Sequence, residues 1–285
     1  MILFGENPLA PRDVNLEYFG ESKYVYHYTS AQRIFEHILP TGKILLNTID
    51  RMNDPKEAGH WAFNEYHDLP KSSVINMSRL LDRAKVVNRI AKLRSCVFCV
   101  TTDTDSYPGR RQTLFYRGFA RPRMWAQYAD NHTGVCLMFD REMLHQEIIR
   151  QLEEGDELFY SLVSYEPWTG EDDRASYTVM ASAMEGLGID EAVRQHVIAH
   201  KERLLYLKAP DWSSESEGRW LMVRKSDGPA IVSFGDSLQA IFLGSQFDRS
   251  KVKQLTDSFD RKIKKIYGIK WPNGLPGVYQ NALFD

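Results

Sequence analysis

Two carboxylates spaced two residues apart, Glu215 and Glu217, stand in the run Lys208-Ala209-Pro210-Asp211-Trp212-Ser213-Ser214-Glu215-Ser216-Glu217-Gly218-Arg219-Trp220, which leads into the apolar Leu221-Met222-Val223. If Glu215 to Val223 is extended, Glu215, Glu217 and Arg219 project to one face, and Gly218 leaves room for close approach. Two carboxylates on one face repel, so the pair needs partners or a purpose. A purpose that fits is to stabilise an oxocarbenium-like centre and orient a nucleophile. The structural alternative is the polar outer face of an edge strand.

A second group with chemical potential is His27 in Tyr26-His27-Tyr28-Thr29-Ser30. It stands at the end of a β-prone stretch, just before Ser30, whose hydroxyl can cap a helix carrying Ile34, Phe35, Ile38 and Leu39. The free N–H groups of a helix start favour anions and ligand oxygens. A histidine satisfied within a strand is the plain alternative. Pro40 and Gly42 should stop that helix, and Lys43 to Leu46 reads as the next strand.

The third group is basic. Arg110, Arg111, Arg117, Arg121 and Arg123 are interleaved with Tyr107, Phe115, Tyr116 and Phe119, and no acidic residue occurs from Ser106 to Ala129. Guanidinium groups among aromatic rings suit a nucleic-acid backbone and its bases, or a dinucleotide pyrophosphate. A solvated basic loop is the alternative. In Asn53-Asp54-Pro55-Lys56-Glu57, Asp54 reads as an N-cap with Pro55 at the first helical position, so the helix would carry Ala58, Trp61, Ala62 and Tyr66. A functional reading puts Asp54 or Glu57 at the rim of a pocket.

Other spacings argue against chemistry. Cys96 and Cys99 lie three apart in a β-prone run and so point to opposite strand faces, and no second Cys/His pair follows at zinc-ribbon spacing. His196 and His200 share a helical face, but Val197 stands where the metalloprotease pattern needs glutamate. No metal site is expected: the two cysteines read as core residues and the two histidines as solvent or packing groups.

The elements that would position these groups alternate along the chain. Residues 1–20 read as an arm. Residues 72–93 repeat apolar side chains at helical spacing (Val74, Met77, Leu80, Leu81, Ala84, Val87, Ile90, Leu93), with basic residues on the solvated face. Residues 124–130 suggest a short helix on which Trp125 and Tyr128 share a face. Residues 134–140, 157–165, 230–234 and 238–243 read as strands, 141–153 as a helix, 167–176 as a polar loop and 176–206 as mostly helical. Asp248 to Ile266 reads as a surface helix.

A chain of 285 residues with 43% hydrophobic and 26% charged residues is ordinary for a globular protein, long enough for one large domain or two small ones. A net charge of -2 gives no bulk attraction to nucleic acid or anionic membrane, so such a contact needs a local patch. Three cysteines argue against a disulfide framework, and neither a signal segment nor a bilayer-spanning apolar run is visible. The expectation is a reduced, cytoplasmic protein away from membranes.

The ordered set His27-Tyr28-Thr29, Asn53-Asp54-Pro55-x-Glu57, Met124-Trp125-x-x-Tyr128, Gly134-Val135-Cys136-Leu137-x-Phe139 and Trp212-x-x-Glu215-x-Glu217-x-Arg219 resembles a large bacterial family known only as a domain of unknown function. That family resembles a divergent branch of the ADP-ribosyltransferases, and the opening stretch is similar to their His-Tyr-Glu branch. The resemblance implies an α+β fold: a split, mostly antiparallel β-sheet core in a single domain over residues 1–285, with helical insertions at 72–93 and 176–206. It also implies NAD as substrate. His27 would bind the adenosine-side ribose, with the backbone of Tyr28 and Thr29 near the nicotinamide amide. Tyr128 would flank the nicotinamide ring, and Arg219 would lie beside the cofactor. Glu217 would hold the 2′-hydroxyl of the nicotinamide ribose, with Glu215 supporting it or positioning the acceptor.

The activity so implied is NAD-dependent mono-ADP-ribosyl transfer, as in toxin–antitoxin and phage-defence effectors. The acceptor would be RNA, DNA or a protein, with an antitoxin protein as a possible partner. Arg110, Arg111, Arg117, Arg121 and Arg123 would then bind the acceptor. Two other readings stand beside it. One is a sensor or binding module of the same fold without catalysis. The other is a nuclease using Asp54, Glu57, Glu215 and Glu217 around a divalent metal.

Overall fold

A computed structural model describes residues 23–66, 77–104, 114–167, 172–257 and 265–280. Arg110, Arg111, the arm at 1–20, the start of the 72–93 segment and residues 258–264 lie outside the described residues. The chain is mixed α+β with a large, mostly antiparallel sheet. In chain order its strands are β1 (Tyr24–Thr29), β2 (Lys43–Thr48), β3 (Asn64–Tyr66), β4 (Ser95–Thr102), β5 (Val135–Asp140), β6 (Glu157–Leu162), β7 (Ser164–Tyr165), β8 (Thr178–Met180), β9 (Leu207–Lys208), β10 (Glu217–Val223), β11 (Ala230–Ser233), β12 (Leu238–Leu243), β13 (Lys265–Lys270) and β14 (Gly277–Gln280).

Two compact units divide the chain. The first comprises Met1–Ile44, Val100–Arg150 and Ser233–Asp285; the second comprises Leu45–Cys99 and Gln151–Val232. Each has its own core.

In the first unit β1 pairs antiparallel with β5 in unbroken register from Tyr24↔Asp140 to Thr29↔Val135, and with the end of β4. β12 follows β5 antiparallel, β13 joins β12 in parallel, and β14 closes that side. Tyr26, Phe119, Trp125, Met138 and Phe242 fill its core, with Phe119 stacked on Phe242 at 4.2 Å. The β1 sequence is aromatic and β-branched, which suits a strand with neighbours on both sides.

The helix after β1 departs from expectation. Ser30 caps it, its Oγ accepting from Arg33 N at 3.1 Å, as the sequence suggests. Pro40 does not stop it. Ile34–Ile38 widens into a π turn, with Leu39 N donating to the Ile34 carbonyl, and the helix runs on to Thr41. Pro40 has no N–H to give, and its ring would crowd the carbonyl four residues back; the wider turn absorbs both problems. Gly42, at φ 65°, then ends the helix.

In the second unit β10 lies between β4 and β6, its register with β6 running from Gly218↔Leu162 to Val223↔Glu157. β2 pairs with β4 through Asn47↔Val97 and Thr48↔Cys96. Helices Met77–Leu93, Ala181–Leu187, Ile189–Ala199 and Lys201–Leu205 pack on a core of Ile49, Trp61, Val87, Ile90, Val193, Leu204, Tyr206 and Leu221. On the first of these helices Val87, Ile90 and Ala91 face inward, whereas Leu81 is exposed.

Several boundaries move. The helix after Asp54 ends at Ala58; Gly59 follows, Trp61 lies beyond it, and Tyr66 belongs to β3, parallel to β8. Asp172–Ser176 is helical rather than looped. The surface helix expected from Asp248 to Ile266 is a turn at Arg249–Lys251 and a helix at Val252–Asp257, and Lys265 and Ile266 lie in β13. There Ile266 and Tyr267 pair with Ile241 and Phe242 of β12, and this ladder overrides the local helical pattern. Among the described residues no helix is long and apolar enough to cross a membrane.

Candidate functional site

Glu217 opens β10, and every residue of that strand is buried. The strand has neighbours on both sides, so the edge-strand alternative does not hold. Glu215 is not extended: it ends a 3₁₀ turn, Pro210–Glu215, and Ser216 at φ 42° then swings the chain into the strand. The left-handed Ser216 brings the two carboxylates towards one cation instead of setting them side by side on a strand.

That cation is Lys208, in β9. Its Nζ lies 3.0 Å from Glu215 Oε2 and 2.6 Å from Glu217 Oε2, and 5.2 Å from the centroid of the Trp212 ring. Arg219, two residues along the same face of β10, completes the arrangement. Its Nε donates to Glu217 Oε1 at 2.8 Å, and its Nη1 lies 2.7 Å from Glu57 Oε1 and donates to the Leu205 carbonyl at 2.5 Å. Five ionisable side chains thus form one chain of contacts in the second unit: Glu57, Arg219, Glu217, Lys208 and Glu215. Arg219 is fully buried and Glu57 is 1% exposed.

The surrounding elements fix each member. Asp54 caps the short helix Pro55–Ala58 by accepting from Lys56 N at 2.9 Å, and this aims Glu57 inward. Tyr165 Oη accepts from Glu217 N at 2.7 Å, holding the first residue of β10. Lys56 Nζ donates to the carbonyls of Arg203 and Leu207, tying that helix to the segment before Lys208. Lys92 donates to the carbonyls of Glu57 and Gly59.

Electrostatics separate the carboxyls. Burial alone would raise the pKa of Glu217, but Arg219, then Lys208, outweigh it and bring it down to about 2. The Cys99 thiol donates to the same carboxylate. Burial, with the charge of Glu217, pushes that thiol well up. For Glu57, burial wins: its pKa is raised despite Arg219 and Lys208, and Glu217 adds to the rise. Burial works against the charge of Lys208, yet Glu217 and Glu57 raise its pKa above the ordinary lysine value. Glu217 is therefore an ionised carboxylate in a dry setting, the state needed to accept a hydrogen bond from a sugar hydroxyl or to face positive charge.

The other candidate residues lie in the first unit. His27 is half-buried in β1, opposite Leu137, and Thr29 is buried at the strand end. Tyr28 is a core residue: its ring meets Trp125 edge-on at 5.2 Å, and its hydroxyl donates to the Gly118 carbonyl at 2.6 Å. Tyr128 is half-buried at the end of Pro122–Tyr128, with Gln127 Nε2 donating to its hydroxyl at 3.3 Å. Arg117 pairs with Asp103 at 3.1 Å, Arg121 donates to the Thr102 carbonyl at 3.2 Å, and Arg123 is exposed. In the second unit, His196 holds the Ser176 carbonyl at 2.8 Å and packs on Phe63 and His200.

Sequence reading brings out Glu215, Glu217 and Arg219 and gives Glu57 a pocket rim, but it assigns no role to Lys208, which opens the same segment, and reads Cys99 as a core residue. A lysine seven residues before a paired carboxylate is an unremarkable spacing, and the fold of the 3₁₀ turn is what closes it.

One family matches. DUF2971, described as a protein of unknown function, matches residues 124–220. That span reaches from Met124 to Trp220 and includes Tyr128, Lys208, Glu215, Glu217 and Arg219. No curated protein and no solved structure matches the chain.

Proposed function

We propose that the protein is an NAD-dependent ADP-ribosyltransferase, an effector of toxin or phage-defence type that modifies nucleic acid or protein. The observation that carries the reading is the ionised Glu217, held by Arg219 and Lys208 with Glu215 beside it. A carboxylate so held can accept a hydrogen bond from the 2′-hydroxyl of the nicotinamide ribose and face the positive charge that grows at C1′ as nicotinamide leaves. Such use requires Lys208 to release Oε2 to the hydroxyl; Lys208 would then remain paired with Glu215. The roles that the resemblance gives to His27, Tyr28, Thr29 and Tyr128 belong to the same proposal. So do the acceptor roles of Arg110, Arg111, Arg117, Arg121 and Arg123.

Burial favours a second reading. Both oxygens of Glu217 are engaged, and all five members of the network are buried, as in a structural core that specifies the fold of a non-catalytic binding module. The nuclease reading is less well supported, because Arg219 and Lys208 already occupy the carboxylate oxygens it would give to a divalent cation.

The test is release of nicotinamide from NAD by purified protein, with Glu217→Gln as the variant. Turnover by the wild type that falls by about 10²-fold or more in a folded variant supports the transferase. Unchanged NAD in every condition leaves the binding module.

A further inference from the structure

The Asn53-Asp54-Pro55-Lys56-Glu57 motif has no part in the proposed chemistry, yet its last residue is built into the network. Three carboxyl groups, Glu57, Glu215 and Glu217, meet two cations, Lys208 and Arg219, through direct contacts. With every carboxyl ionised, the five directly paired groups hold three carboxylates against two cations, since the nearby Lys56 and Lys92 are turned to backbone carbonyls, and a buried carboxylate without a cation of its own is costly. A proton is the simplest balance. Glu215 accepts from Lys208 at 3.0 Å and Glu217 accepts from Arg219 at Oε1 while its Oε2 only faces Lys208, whereas Glu57 faces Arg219 at Oε1 and neither of its oxygens has a hydrogen-bond partner among the described residues.

We infer that Glu57 is a positioning residue for Glu217: it carries the network's one proton and thereby leaves the Arg219 guanidinium to Glu217. When Glu57 ionises, two carboxylates compete for that guanidinium through Nη1 and Nε, and the orientation of Glu217 loosens. The charged and titratable groups around Glu57 come from every side of it. Arg219 and Glu217 face it from β10, Lys208 from β9, Cys99 from β4 and Lys92 from the helix Met77–Leu93; Lys56 is on its own helix. Lys56 and Lys92 donate to backbone carbonyls, and burial lowers both to about 8. The raised pKa of Glu57 agrees with this assignment.

The activity part of this inference rests on the transferase reading; the proton does not. Glu57→Gln is a neutral isostere of the protonated side chain and should fold. The infrared carbonyl band of a buried carboxylic acid should be present in wild type at neutral pH and missing from Glu57→Gln. Wild-type melting temperature should fall as pH rises through the raised pKa of Glu57, and the variant should lack that fall. In nicotinamide release, wild-type kcat should drop over the same pH range, and Glu57→Gln should keep kcat without the drop. Glu57→Ala should lose up to about 10²-fold in kcat with KM unchanged. No carboxylic-acid band in wild type, superimposable pH profiles for wild type and Glu57→Gln, or a Glu57→Gln that does not fold would each overturn the inference. A band and melting shift as expected, without turnover by any variant, would retain the proton on Glu57 and remove the transferase.

Discussion

At the level of single residues, the second unit concentrates its charge around Arg219, whose guanidinium reaches Glu217, Glu57 and the Leu205 carbonyl at once. Removing one partner of a buried pair strands the others, at about 3–5 kcal/mol. Arg219→Leu should therefore lower the unfolding free energy by about that amount in urea titration. A loss under about 1 kcal/mol would show that the pairs are solvated, like surface bridges. The pH dependence has a definite sign. Glu217 falls from an ordinary value of 4.5 to about 2 on folding, so its contribution is present above 4.5 and lost as pH falls towards 2. Glu57 shifts the other way, so its contribution is lost as pH rises through its raised folded value. Melting temperature against pH should show the acid-side loss in wild type and a smaller one in Glu217→Gln. Identical acid limbs would contradict the pairing. The sequence makes Glu215, Glu217 and Arg219 visible because they share a short segment. Lys208 joins them only through a 3₁₀ turn and a left-handed Ser216, which no spacing rule announces.

At the level of elements, the cap on Pro55–Ala58 and the strained turn before β5 have different costs. Asp54→Ala should lose the bond to Lys56 N, about 1 kcal/mol of stability, and with it the fixed approach of Glu57. The turn after Pro122–Tyr128 holds Asp130, Asn131 and His132 at φ 45°, 51° and 71°. Such backbone costs of order 1 kcal/mol or more per residue and persists where the surroundings over-determine it. Here the surroundings are known: the His132 carbonyl accepts from Gln246 N at 3.1 Å, and a Cβ on Gly244 would overlap that carbonyl. Asn131→Gly should raise the melting temperature by relieving one left-handed residue, while Gly244→Ala should lower it. The reverse order would mean that the turn is relaxed. Local pattern reveals the capped helix after β1 because Ser30, the apolar spacing and Gly42 agree. It does not reveal that Pro40 is carried through on a π turn, since that depends on a hydrogen-bond shift along the helix.

At the level of the whole molecule, each unit has a core of its own among the described residues. Composition and alternation make the mixed α+β character and most strands legible. Where the expectation failed, at Tyr66 and at Lys265 and Ile266, pairing with a distant strand decided the conformation: β8 for the first, β12 for the others. The proposed activity is tested at this scale, on the full chain. The most direct measurement offers NAD labelled on its adenylate phosphate, with RNA, DNA and cell lysate in turn, to wild type and to folded Glu217→Gln. Label passing to one acceptor class with wild type, and not with the variant, is the predicted result. No transfer and no nicotinamide release by wild type, or equal labelling by the two proteins, would contradict it.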